Sequence, residues 1–180
     1  PVAGVVATGN GAGTAIAEAC EETLFREGLS AFAAVQKGLV TPAVEAIVEA
    51  NTLLSGLGFE NGGLAAAHAI HNGFTAIKGE VHRLTHGEIV GFCLLVQLIL
   101  EERPQEEFKR YSRFLAAIGM PTTLAEMHLT GATREELLEI GKLAVAPSNT
   151  MKNLNKNITA EQVVAAILAV DTFIGKEEKE

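Results

Sequence analysis

The chain has 180 residues, of which 48% are apolar and 20% are charged, and its net charge is −8. This balance is typical of one folded domain with a sizeable core, and it excludes a largely disordered chain. Because the chain is acidic and has no basic cluster, we also exclude a nucleic-acid-binding protein.

The distribution of apolar residues and cysteines indicates a cytoplasmic protein that does not span a membrane. No uncharged apolar run reaches the roughly 18 residues of a transmembrane helix, and the N-terminus lacks the basic and apolar regions of a signal peptide. Cys20 and Cys93 are the only cysteines, and both lie in apolar helical patterns. Two such residues predict reduced thiols, since a disulfide scaffold or a cysteine metal site needs more.

The first 13 residues combine an apolar stretch with Gly9, Gly11 and Gly13. Their spacing is G-x-G-x-G, whereas the dinucleotide-binding fingerprint is G-x-G-x-x-G with an acidic residue about 20 positions further on. We therefore interpret this segment as an entry loop that leads into a helix.

Two helices are predicted next, and glycines end both of them. The first runs from about residue 14 to 26, with Thr14 as its N-cap, and ends at Gly28. The second runs from about residue 30 to 37 and ends at Gly38.

Residues 41–63 predict a capped helix followed by a break. Thr41 is a favourable N-cap, and Pro42 suits the first helical turn because its missing N–H would have no partner there. Apolar residues at 44, 47, 48 and 54 follow a helical period. The glycine-rich segment SGLGFENGG (55–63) is predicted to interrupt the chain before the next helix.

Residues 62–100 contain four of the five histidines: His68, His71, His82 and His86. His68 and His71 lie on a predicted helix whose alanines allow its backbone to approach a neighbour. A charged loop (77–84) follows, and the sequence Thr85-x-x-Glu88 forms a capping box that places His86 at the first position of the next helix. The apolar run 89–100 is typical of a buried core helix.

The rest of the chain continues the helical pattern. Pro104 ends or kinks one helix, and Gln105 to Ile118 forms another that is closed by Gly119. Two further capping boxes predict helices over 133–145 and 159–175, with a polar loop (148–157) between them. Because strands are not indicated after residue 7, we predict an all-α fold in which residues 1–180 form a single helical metal-binding domain.

The histidines of residues 62–100 are the best candidates for a functional site. His86 lies at a predicted helix start, where the helix dipole favours the neutral imidazole. A metal ligand must be neutral, because a protonated imidazole has no free lone pair. The alternative interpretations are a surface residue beside the cap for His86 and a hydrogen-bonded core residue for His68. His82 and His128 lie in polar segments and are interpreted as solvated.

The pattern alone leaves the reaction open. His68 and His86 would hold a divalent metal, with His71 as a neighbouring proton-transfer group. Three imidazoles and a water molecule would instead support zinc-hydroxide hydrolysis. An open metal site would equally polarise an alcohol for hydride transfer.

Four segments of the chain are more specific than these patterns: NTLLSGLGFENGGLAAAHAIHNGFTAI, HGEIVGFCLLVQLILE, TPAVEAIVEAN and TAEQVVAAILAVD. They closely resemble the glycerol dehydrogenases of the metal-dependent (iron-containing type) alcohol dehydrogenase family, and the resemblance extends from about residue 18 to 170. It implies the all-helical C-terminal domain of that family. It also implies that an N-terminal NAD-binding domain and an aspartate ligand are absent from this chain, since its only aspartate, Asp171, matches the family's last helix.

The resemblance also implies roles for individual residues. His68 and His86 match two metal ligands, His71 matches a catalytic-site histidine near the nicotinamide and the substrate, and Phe59 matches a residue that lines the substrate pocket. The implied reaction is the oxidation of glycerol or a similar small polyol, with zinc or another divalent metal and with NAD. We expect the isolated chain to be inactive and to form a homo-oligomer; the alternatives are a non-catalytic self-association module and, further removed, a histidine-ligated zinc hydrolase.

Overall fold

The computed structural model describes residues 11–154 and 157–174, and these residues form eight α-helices joined by turns and short 3₁₀ segments. No strand occurs among them, which confirms the predicted all-α fold. In the same residues, every helix is too short or too polar to cross a membrane. The chain divides into two compact units, with the division between Leu64 and Ala65.

The described part of the first unit, residues 11–64, contains three α-helices. Helix α1 spans Gly11–Val35 and packs against both α2 (Pro42–Glu49) and α3 (Ser55–Gly62). A π-helical segment, Ala50–Leu54, joins α2 to α3 without a loop. Thr41 is the N-cap of α2 as predicted, and its side chain accepts a hydrogen bond from the backbone of Val44.

Two predicted boundaries in this unit are wrong. Gly28 lies buried inside α1, so the two helices predicted before residue 38 are one continuous helix, and Thr14 lies within it rather than at its N-cap. A glycine inside a helix costs about 1 kcal/mol relative to alanine. The burial of residues along this 25-residue helix outweighs that cost. The predicted end at Gly38 is confirmed, since Gly38 has φ +68°.

The glycine-rich segment 55–63 is also helical rather than a break. It continues from the π-helical segment as α3, and the chain turns only at Gly63, which has φ +73°. The predicted entry loop falls mostly in residues 1–10, outside the described residues, while Gly11 and Gly13 already belong to α1.

The second unit contains the remaining five helices. They are α4 (Ala66–Gly73), α5 (His86–Leu100), α6 (Gln105–Ala117), α7 (Arg134–Ala144) and α8 (Ala160–Ile174). Helix α5 packs against α4, α6 and α8, while α7 contacts both α4 and α8. Nine of the 15 residues of α5 are buried, which confirms the prediction of a core helix.

The capping signals of this unit were predicted correctly. Thr133 and Glu136 form both hydrogen bonds of a capping box at the start of α7. Thr159 and Gln162 bond reciprocally before α8. Gly119, with φ +78°, follows the end of α6. The segments predicted as loops contain short 3₁₀ turns at Glu80–Arg83 and Thr150–Leu154.

Both cysteines are free thiols, as predicted. Cys93 is completely buried in α5, and this burial raises its pKa well above the usual range. Cys20 is half-buried in α1, and burial raises its pKa as well.

Candidate metal centre

Helix α4, which carries His68 and His71, has only eight residues and no cap of its own. Its N-cap position is Ala65, which makes no side-chain hydrogen bond to the helix. Instead the Gln97 side chain reaches across from α5, and its Oε1 accepts a hydrogen bond of 2.8 Å from the backbone N–H of Ala67. This contact replaces a local cap, because the first N–H groups of a helix have no partner within it.

Small residues allow α4 to lie close to its neighbours. Its alanines Ala66, Ala67 and Ala69 are almost completely buried. At its other end Gly73 lies directly against the backbone of Ile140 in α7. The Thr150 hydroxyl donates a hydrogen bond of 2.7 Å to the carbonyl oxygen of Ala65. The helix is therefore fixed at both ends by groups distant in sequence.

His86 is the first residue of α5, and a capping box fixes its position. Glu88 Oε2 accepts a hydrogen bond of 2.6 Å from the backbone N–H of Thr85, while the Thr85 side chain accepts one from the backbone of Glu88. The Thr85 hydroxyl also donates to Glu88, and these contacts lower the pKa of the Glu88 carboxyl.

These elements bring three histidine rings together. The ring centroids of His68 and His86 lie 5.7 Å apart, and those of His71 and His86 lie 4.4 Å apart. His86 Nδ1 is 3.1 Å from His71 Nε2, which is a hydrogen-bond distance. His68 and His71 are half-buried and His86 is exposed, so the cluster opens towards solvent on the His86 side.

The surroundings favour the neutral form of two of these rings. Burial lowers the pKa of His68, and the neighbouring rings of His86 and His71 lower it further. Burial also lowers the pKa of His71, although the hydrogen bond to Asn72 acts in the opposite direction. Neutral imidazoles have the free lone pairs that a divalent metal needs.

The donor chemistry of this cluster fits a partial metal site. Imidazole nitrogens suit zinc and related divalent ions. However, the described residues contain no group of three or more His, Cys, Asp or Glu side chains arranged to hold a metal. Asp171 does not join the histidines, because its Oδ1 accepts a hydrogen bond of 2.8 Å from the backbone of Leu124.

The other candidate residues have different surroundings. His82 is exposed, and its Nε2 contacts the carbonyl oxygen of Ile77 at 2.7 Å. His128 is exposed in a turn with φ +57°. Phe59 lies on α3 in the first unit and is 49% exposed. Its role in the substrate pocket stays a prediction.

Three residues that hold the cluster in place were not predicted from the sequence: Gln97, Asn149 and Thr150. Gln97 gave a signal, since it is the only strongly polar residue of the apolar run 89–100 and is completely buried. A polar side chain in such a position needs a partner, which predicts a structural contact. Asn149 and Thr150 gave none, because they lie among many other polar residues in the loop 148–157.

Comparisons with known proteins identify relatives of this chain. It is 48% identical over 169 residues to glycerol dehydrogenase 1 of Schizosaccharomyces pombe, covering 94% of this chain and 38% of that protein. It is 47% identical over 156 residues to a glycerol dehydrogenase of Pseudomonas putida, covering 87% of this chain and 42% of that protein. No protein-family model matches the chain.

The fold agrees with the sequence. The crystal structure of glycerol dehydrogenase from Schizosaccharomyces pombe superposes with a TM-score of 0.91 over 95% of this chain and 43% of that one. The all-helical fold is consistent with the C-terminal domain of that enzyme. The chain spans about two fifths of the length of the curated relatives it matches. Its sequence and its fold together identify it as a homologue of the glycerol dehydrogenases.

Proposed function

We propose that this chain supplies two metal ligands, His68 and His86, to an NAD-dependent dehydrogenase that oxidises glycerol or a similar small polyol. The observation that carries the proposal is the convergence of the His68, His71 and His86 rings, with centroids 4.4 and 5.7 Å from the ring of His86. The relatives named glycerol dehydrogenase, at 47 and 48% identity, support the substrate class.

His68 and His86 would hold zinc or another divalent ion, together with at least one further ligand. Such an ion polarises an alcohol oxygen and lowers the pKa of the bound hydroxyl. His68 is held in a half-buried place on α4, and its neutral ring offers a lone pair without prior loss of a proton. His86 is held at the start of α5 by the Thr85–Glu88 capping box.

We assign His71 to the catalytic site as a proton-transfer group beside the ligands. Its lowered pKa favours the neutral ring, and a neutral imidazole can take up a proton at Nε2 when the contact of that atom with His86 Nδ1 opens. Its contacts with Asn72 and His86 hold the ring in one orientation. Phe59 remains our candidate for the wall of the polyol pocket, and the resemblance to the family is its only support.

Zinc titration of the purified chain and of single alanine variants tests the ligand assignment. His68→Ala and His86→Ala should each weaken zinc binding by more than the roughly 10- to 100-fold that contacts outside the ligand sphere contribute. His71→Ala should still bind zinc, within about 10-fold of the parent chain. Isothermal titration calorimetry measures all three affinities.

His82→Ala is the matched control, because the His82 ring contacts the carbonyl oxygen of Ile77. It should bind zinc as the parent chain does. If His71→Ala abolished zinc binding as completely as His86→Ala, the three histidines would form a common ligand set. That result would contradict our assignment and favour a zinc hydrolase.

A turnover assay tests whether this chain alone can catalyse the proposed reaction. We expect no NADH from glycerol when this chain is supplied with zinc and NAD, because the described residues contain no strand of a βαβ nucleotide-binding unit. The absorbance of NADH provides the measurement. Robust turnover would show that this chain needs no further domain for the reaction, and would refute this part of the proposal.

A second candidate function, self-association, is favoured by the surface of the first unit. Among the described residues of this unit, from 11 to 64, nine large apolar side chains are exposed: Leu29, Phe32, Val35, Leu39, Val40, Val48, Leu53, Leu57 and Phe59. Exposed apolar surface of this kind favours association. Light scattering after size exclusion would show an oligomer in that case, and a strict monomer would count against it.

A further inference from the structure

A line of hydrogen-bonded side chains leads from the loop after α7 to the histidine cluster, and it begins at Asn149. Asn149 Nδ2 donates to the carbonyl oxygen of Leu143 at 3.1 Å. Asn149 Oδ1 accepts from the backbone N–H of Thr150, also at 3.1 Å. A carbonyl oxygen can only accept and a backbone N–H can only donate, so these two groups fix which way the Asn149 amide points.

The orientation of Asn149 determines that of Asn72. Asn149 Oδ1 is the atom that faces Asn72, at 3.1 Å from Asn72 Nδ2. Since an oxygen can only accept here, Asn72 must present its NH₂ group to Asn149. The Asn72 oxygen Oδ1 is therefore turned towards His71, where it lies 3.4 Å from Nδ1.

The two histidines continue the same direction of donation. His71 Nδ1 faces an oxygen acceptor, so in the neutral ring Nδ1 carries the proton and Nε2 keeps the lone pair. That Nε2 lies 3.1 Å from His86 Nδ1. His86 Nδ1 must therefore donate, which leaves the lone pair of the neutral His86 ring at Nε2.

The opposite direction would have a different chemical result. If His71 carried its proton at Nε2, it would donate to His86 Nδ1. The neutral ring of His86 would then carry its proton at Nε2 and have no free lone pair for a ligand. The direction of this one hydrogen bond thus decides whether His86 can bind a metal through Nε2 without a proton shift.

We propose that Asn149 and Asn72 are positioning residues that act through His71 to fix the neutral His86 ring with its proton on Nδ1 and its lone pair on Nε2. The use of that lone pair for a metal rests on the proposed function, whereas the tautomer itself does not. Ligand histidines in proteins usually donate their second ring N–H to a fixed acceptor, and loss of that acceptor lowers metal affinity. Here the acceptor is an imidazole, which the two amides orient.

Nitrogen NMR of the metal-free protein, labelled with ¹⁵N in its histidines, tests the proposal. Correlations between ring protons and ring nitrogens distinguish a nitrogen that carries a proton from one with a lone pair, and spectra at mildly alkaline pH report the neutral rings. We expect a protonated Nδ1 and an unprotonated Nε2 in both His71 and His86. Signals are assigned by their loss in His71→Ala and His86→Ala. A protonated Nε2 in His86 would overturn the proposal.

Variants of the two asparagines test whether this line of hydrogen bonds determines the tautomers of His71 and His86. Asn72→Leu and Asn149→Leu should convert both rings to mixtures of tautomers, with averaged nitrogen shifts. Asn149→Asp loses the hydrogen bond to the Leu143 carbonyl oxygen but keeps an acceptor for Asn72 and Thr150, and should preserve the parent tautomers. Asn51→Leu, at an exposed position in the first unit, should change nothing. Parent-like tautomers in both leucine variants would refute the positioning role.

Zinc titration of the same variants separates this inference from the proposed function. We expect Asn72→Leu to bind zinc about 10-fold more weakly than the parent chain, and Asn149→Asp to bind it equally well. If the tautomers respond as expected but no variant or parent binds zinc, the metal assignment fails while the positioning role stands. If zinc binds normally in a variant whose tautomers are mixed, the tautomer does not contribute to affinity, and that part of the inference is refuted.

Discussion

Replacing Gly73 with alanine is expected to lower the free energy of unfolding by about 3 kcal/mol, because the added methyl group has no room. A Cβ at this position would collide with the backbone carbonyl oxygen of Ile140 and lie 2.9 Å from its Cγ2. A backbone atom cannot move aside as a side chain can, so α4 and α7 must separate. Alanine would otherwise favour the helix by up to about 1 kcal/mol, so the steric effect decides the sign.

Urea denaturation followed by circular dichroism provides the measurement. Gly131→Ala is the matched control, because nothing lies within 4 Å of a Cβ there and its φ is not positive. It should unfold within about 0.5 kcal/mol of the parent chain. If both variants unfolded at the same urea concentration, that result would contradict the close contact between α4 and α7.

Replacing Gln97 with leucine is expected to lower the free energy of unfolding by about 2 to 3 kcal/mol. Leucine has a similar size but accepts no hydrogen bond, so the buried N–H of Ala67 would lose its partner. Glu101 would also lose the hydrogen bond of 2.6 Å that Gln97 Nε2 donates to it. The loss at Ala67 occurs where water cannot easily replace the missing group, since both Ala67 and Gln97 are buried.

Two measurements separate these effects. Urea denaturation gives the stability, and amide hydrogen exchange at Ala67 reports whether the start of α4 loosens. Gln105→Leu makes the same chemical change at an exposed position and should stay within about 0.5 kcal/mol of the parent chain. Equal stability of the two variants would show that Gln97 is not needed as a cap for α4.

The starts of α5 and α7 were predictable because their signals are local. The Thr85–Glu88 and Thr133–Glu136 capping boxes depend on residues within one turn, and both form as expected. Helix ends in the first unit were less predictable. Gly28 and the glycines of 55–63 are local breakers whose cost tertiary packing overcomes: Gly28 is buried, and a Cβ at Gly58 would meet α1 at Ala17.

The residues of the candidate site were likewise predictable only where their signals are local. His68, His71 and His86 could be selected from spacing and from their positions on two neighbouring helices. Asn149 could not be selected in this way, because its role depends on contacts with two backbone groups and with Asn72, which is 77 positions away in the chain. Sequence patterns describe what one helix presents, whereas this contact exists only after α4 and α7 have packed together.

The short length of α4 has a consequence for the order of folding. Helices shorter than about 12 residues are barely stable alone, and α4 depends on Gln97 and Thr150, which are 30 and 85 positions from their partners. The histidine cluster should therefore assemble late, after these long loops have closed. A metal ion that needs the assembled cluster would bind the native state in preference to earlier intermediates, and so would slow unfolding by mass action.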